Sequence, residues 1–162
     1  MERAFAKKTH KEVEKVDLLP LPDVPGFIAW NNHTYQAINT ASGRPDDSAL
    51  TWAMEVEDKS KELSHFRTPP KRFCTLSRKL ASALQRNSRG NLGRRLMQFV
   101  ANCMKEGRSP AGLELLRLIV NDYSTCSRAD GMFDLNDLQR CKIKAGDIQG
   151  FQSSWDMVLS NM

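Results

Sequence analysis

No run of apolar residues in this chain approaches the ~20 needed to cross a bilayer. Its first seventeen residues hold Arg3, Lys7, Lys8, Lys11, Lys15 and four acids without an apolar stretch, so no secretory leader is expected. The expected location is therefore intracellular, in the cytoplasm. Histidine is scarce: His10, His33 and His65 each stand apart from the next His or Cys. Cys74, Cys103, Cys126 and Cys141 contain no CxxC pair. A zinc site usually draws two ligands from one tight turn, so no metal is expected and the cysteines read as free thiols. A glycine-rich phosphate loop is also missing, because Gly90-Asn91-Leu92-Gly93-Arg94 lacks the lysine and the hydroxyl residue that such a loop needs. Asp46-Asp47 is a carboxylate pair just ahead of a predicted helix, where acids meet the positive end of the helix dipole. Asp130-Gly131 reads as a turn. Nothing here points to catalysis, a cofactor or a small-molecule substrate.

What is present suits an ordinary globular chain. Of 162 residues, 40% are hydrophobic and 27% charged, enough apolar material for a core without the composition of a disordered segment. The formal charge of +5 is unevenly spread. Residues 1–66 and 109–162 are mildly acidic, whereas residues 67–108 carry eleven Lys/Arg and a single acid, Glu106. Such a segment attracts phosphate backbones or an acidic protein surface. A solvated helical face that merely answers the acidic flanks is the bland alternative.

Periodicity predicts an all-α chain of about six to seven helices, with no alternating strand and no internal repeat. Residues 1–17 read as a charged arm, disordered or frayed helix, and residues 18–162 as the helical domain. Leu18-Leu19-Pro20-Leu21-Pro22-Asp23-Val24-Pro25 is proline-rich and predicts an extended connector laid across an apolar groove. Phe27, Trp30, Thr34, Ile38 and Ala41 mark the first helix, which Gly43-Arg44-Pro45 stops. Asp47 or Ser48 is placed to cap a second helix holding Leu50, Ala53 and Val56. Thr68-Pro69-Pro70 is a break, so a boundary between two lobes near 67–70 is left open. Pro70 is predicted to start the next helix, and Ser109-Pro110 a later one. That later helix holds Leu113, Leu116 and Ile119, and Ser124–Gly131 reads as a polar loop after it. Asp134 predicts a short helix with Leu135, Leu138 and Cys141. Phe151, Trp155, Val158 and Leu159 mark a terminal one.

At 100° per residue Arg72, Lys79 and Arg86 nearly superimpose, with Lys71, Arg78 and Arg89 beside them. The next helix adds Arg94, Arg95 and Lys105, giving a candidate phosphate-binding face from one helical hairpin. Few aromatics interleave these cations, so base-stacking recognition is not expected.

The string Lys79-Leu80-Ala81-Ser82-Ala83-Leu84, then Gly90-Asn91-Leu92-Gly93-Arg94-Arg95-Leu96, then Gly112-Leu113-Glu114-Leu115-Leu116-Arg117-Leu118-Ile119 and Tyr123 carries a resemblance. With Asp137-Leu138, Gly146-Asp147, Phe151, Trp155-Asp156 and Val158-Leu159 it is similar to the Gag-like capsid region of copia-type LTR retrotransposon polyproteins. The proline connector followed by Phe27 and Trp30 looks like the entry to such a domain, and the likeness covers roughly residues 18–160. It is a progression of apolar positions rather than an invariant motif. Gln149-Gly150 is followed by Ser153 where the retroviral homology motif has Glu, and the zinc knuckle and protease triplet are absent. The resemblance implies a non-enzymatic structural protein that associates with itself and holds RNA or DNA backbone non-specifically. On that reading Phe151, Trp155 and Leu159 are candidate self-association residues, with closure of the chain's own core as the competing role. A stand-alone helical nucleic-acid-binding module, or a helical scaffold for an acidic protein, are the alternatives.

Overall fold

A computed structural model describes residues 11–129 and 148–160 of the chain. Among these residues the fold is all-α, with no strand. Six helices are described: α1 Phe27–Ala41, α2 Ser48–Met54, α3 Cys74–Asn87, α4 Gly90–Lys105, α5 Gly112–Ala129 and α6 Ile148–Ser160. Short 3-10 turns at Val24–Gly26, Glu55–Glu57, Leu63–Arg67 and Lys71–Phe73 link them. The short helix expected after Asp134 lies outside the described residues.

Helices α1, α3 and α4 bury most of the arc that their periodicity marks out. On α1, Trp30, Thr34, Ile38 and Ala41 are buried; on α3, Leu76, Leu80, Ala83 and Leu84; on α4, Leu96, Val100 and Cys103. The centre of the fold is α5, whose Leu113, Leu115, Leu116 and Ile119 are all buried. It packs most extensively on α3 and also receives the 3-10 turns at Glu55–Glu57 and Leu63–Arg67. One apolar cluster runs from Val16 to Ile119, and Trp52 stacks on Phe73 at 4.8 Å across the proline break. Residues on both sides of Thr68-Pro69-Pro70 therefore share one core, and the described residues 11–129 do not divide into lobes there.

Four local expectations need correction. Pro70 does not begin an α-helix: its ψ of 142° is extended, a 3-10 turn follows, and α3 starts only at Cys74. Pro110 likewise precedes rather than opens its helix. The carboxylate of Glu114 accepts the Ala111 N–H at 2.9 Å, satisfying a donor at the helix end and setting the start of α5 at Gly112. The polar stretch after Tyr123 stays helical to Ala129, with Thr125 Oγ1 donating to the Asn121 carbonyl at 2.9 Å. No Gly or Pro interrupts it, and polar side chains alone do not end a helix.

The arm is the fourth. Residues 1–10 of the expected arm lie outside the described residues; residues 11–17 form no helix and lie as a strap over the domain. Val13 N donates to Ala41 O at 2.9 Å, and Val16 is buried in the core. Gly43, with φ +62°, lets the strap approach: a Cβ there would sit 2.1 Å from the Lys11 carbonyl oxygen. The proline-rich residues continue the strap. Trp30 Nε1 donates to Leu19 O at 2.9 Å, and Tyr123 Oη donates to Pro22 O at 2.5 Å. Leu18 and Leu21 pack partly buried on the core, and Phe27 stacks on Tyr123 at 4.1 Å.

Buried polar groups are tied into this frame. The Arg117 guanidinium donates to Val56 O and, at 3.2 Å, to Lys61 O, so it ties α5 to the Glu55–Glu57 turn and the loop after it. Glu114, 1% exposed, pairs with Arg108 at 2.9 Å; together with Glu106 this carboxylate holds the guanidinium of Arg108 firmly protonated. Tyr35 donates to Glu57 Oε1 at 2.9 Å, and burial pushes its hydroxyl well above the ordinary tyrosine range.

Candidate nucleic-acid interface

The basic segment reaches the surface in four pieces. Lys71 and Arg72 lie on the 3-10 turn before α3 and are exposed. Phe73 is buried on Trp52, and this fixes the turn; the guanidinium of Arg72 lies 4.8 Å from the centre of the Phe73 ring. Arg78, Lys79 and Arg86 are on α3 itself. Arg89 sits in the short link to α4, with φ −133° and ψ 171°, and Gly90 then takes φ +67°. Arg94, Arg95 and Lys105 are on α4, on the side away from Leu96, Val100 and Cys103. Because α3 begins at Cys74 and ends at Asn87, the helical register that aligns Lys71, Arg72 and Arg89 with the α3 cations does not extend to them.

Two of the nine predicted cations are engaged within the fold. Lys79 Nζ lies 2.9 Å from Glu12 Oε1 and donates to Val13 O at 2.8 Å, so it holds the strap. Arg95 is ion-paired with Asp122 of α5. Arg67 and Arg108 in the same basic segment turn instead to Glu114. The other seven, Lys71, Arg72, Arg78, Arg86, Arg89, Arg94 and Lys105, are exposed and unpaired with any acid among the described residues. Sequence spacing could not have found the partner of Lys79, because Glu12 is brought to it from a different part of the chain by the buried Val16.

Cations also stand at the edges of clefts. Lys71 borders one of about 530 Å³ lined by Trp52, Glu55, Lys61 and His65. Glu55 Oε2 there meets Lys61 Nζ at 3.0 Å and His65 Nε2 at 3.2 Å. Partial burial pushes the Glu55 carboxyl up, but these two partners outweigh it and hold the group below the usual range. Arg89 borders a cleft of about 310 Å³ between the proline strap and Tyr123. Among the described residues no His/Cys/Asp/Glu group is arranged to hold a metal ion, and no helix is long and apolar enough to cross a membrane.

The self-association candidates lie on α6. Trp155 is exposed and Phe151 half-buried, with their rings 5.6 Å apart, and Ile148 is 64% exposed. The side chain of Leu159 lies outside the described residues. No protein-family model, curated protein or solved structure matches this chain.

Proposed function

We propose that this chain is a non-catalytic, Gag-like capsid protein of an LTR retroelement that holds nucleic acid by its phosphate backbone. The observation that carries the nucleic-acid part is the set of seven exposed cations between Lys71 and Lys105, unpaired among the described residues. The same segment's other cations find acids inside the fold, so the exposed ones are not consumed by stability. A chain needing these charges only for solubility has no use for so marked a separation of sign. The capsid part rests on the resemblance and on a helical body with Trp155 exposed on α6 beside the half-buried Phe151. Contact is with phosphates rather than bases, since the exposed aromatic surface among these cations is small.

The test is binding of a generic RNA by Arg78→Glu/Arg86→Glu, which reverses two α3 cations without touching the strap. Affinity is expected to fall more than about tenfold at low salt, and wild-type affinity to drop steeply as salt rises. Equal affinity of the variant and the wild type would refute the basic face. Lys79 is left intact in this variant because reversing it would set two carboxylates against each other at Glu12.

A further inference from the structure

We infer that Thr75 and Lys79 of α3 form an oxyanion seat that the chain's own Glu12 occupies and for which a nucleic-acid phosphate competes. The two residues are four apart, so they stand on one face of the helix a turn from each other. Thr75 Oγ1 donates to Glu12 Oε2 at 2.6 Å, and Lys79 Nζ lies 2.9 Å from Glu12 Oε1. Glu12 Oε2 therefore accepts from a neutral hydroxyl, while Oε1 is buried beside the Lys79 ammonium as an ion pair without a hydrogen bond of its own. A phosphodiester presents the same pattern, two non-bridging oxygens sharing one negative charge, and suits the same hydroxyl and ammonium.

The surroundings fit that ligand. Arg78 is exposed beside Lys79, and Arg86 follows on the same helix. Glu12 is thus an acid set among cations that bind phosphate in the proposed function, a reading on which this inference rests. The seat also survives loss of the carboxylate. Lys79 Nζ donates to Val13 O at 2.8 Å, Val13 N to Ala41 O at 2.9 Å, and Val16 is buried. The Glu12 side chain can swing out while the strap backbone keeps Lys79 in place. An internal competitor lowers apparent affinity by the fraction of molecules in which it occupies the seat.

The experiment is fluorescence anisotropy of a labelled generic single-stranded RNA at low salt, on the full chain. It compares wild type with Glu12→Gln, Glu14→Gln and Arg78→Glu/Arg86→Glu. Glu14 is exposed two residues further on, so its replacement makes the same change in net charge away from Thr75 and Lys79. Glu12→Gln is expected to tighten binding about fivefold and Glu14→Gln less than about twofold. In the Glu12→Gln background, Thr75→Val is expected to return affinity towards the wild-type value. Equal tightening by Glu12→Gln and Glu14→Gln, with the Arg variant still weakened, overturns the seat alone. Wild type and Arg variant that are both indifferent to RNA overturn the nucleic-acid reading and the seat with it. Folding is checked by far-UV circular dichroism. Should Glu12→Gln not fold, Glu12→Asp, a methylene too short to reach both donors, carries the same expectation.

Discussion

Gly112 shows how much one residue carries in this fold. It opens α5 against α3, and its N–H donates to Ser77 Oγ at 2.8 Å. A Cβ at this position would lie 2.6 Å from the Ser77 carbonyl oxygen and 2.9 Å from the side chain of Leu80. Replacing Gly by Ala inside a helix ordinarily gains up to about 1 kcal/mol, and less in the first turn. Here overpacking against backbone outweighs that gain. Gly112→Ala is expected to cost about 1–3 kcal/mol, read as a lower urea midpoint with an unchanged slope. A midpoint at or above the wild-type value would mean that the two helices can separate without loss. The sequence marked Gly112 only as part of a leucine-rich string, since a close approach between helices has no local signature.

At the level of elements, helix interiors were legible and their ends less so. The arcs of α1, α3 and α4 are the periodic apolar positions, because a helix exposes one stripe to the core every 3.6 residues. Their starts depended on what neighbouring chain could supply. Pro70 and Pro110 are compatible with a first helical turn, yet the helices begin later, at Cys74 and Gly112. The strap was misread for a related reason. Its charged sequence has little periodicity of its own, and Val16 is ordered only by burial in the common core. Val16 carries two methyl groups, and at about 0.8 kcal/mol per buried carbon Val16→Ala is expected to cost about 1.5 kcal/mol of global stability. Hydrogen exchange at the Val13 amide should quicken with it. Loss of that protection without a change in global stability would make the strap an independently opening unit.

For the whole molecule, the segregation of charge matters more than its net value. Among the described residues, seven cations of the basic segment stay exposed and unpaired with any acid, and they face solvent from α3, α4 and the turns beside them. The proposed capsid role adds a demand for repeated contacts between copies. Light-scattering mass across protein concentration, with generic RNA at low salt, is expected to show growth to large particles. Phe151→Ala/Trp155→Ala, on α6, is expected to keep the chain small while leaving RNA affinity unchanged. A wild-type mass that stays monomeric under all these conditions would remove the capsid reading and leave a helical RNA-binding module.

The sequence by itself determined the all-α class, the buried stripes and the concentration of positive charge between Arg67 and Arg108. These are local or additive properties, readable from spacing and composition. Only the tertiary structure decided which cations remain available. Arg95 meets Asp122 and Lys79 meets Glu12 because packing brings together residues distant in the chain, and Coulomb attraction at contact distance depends on where a side chain ends rather than on its place in the sequence. The same holds for the single core across Thr68-Pro69-Pro70. Prolines govern the backbone beside them, but α5 determines whether the two sides share a core by burying Leu113, Leu115, Leu116 and Ile119.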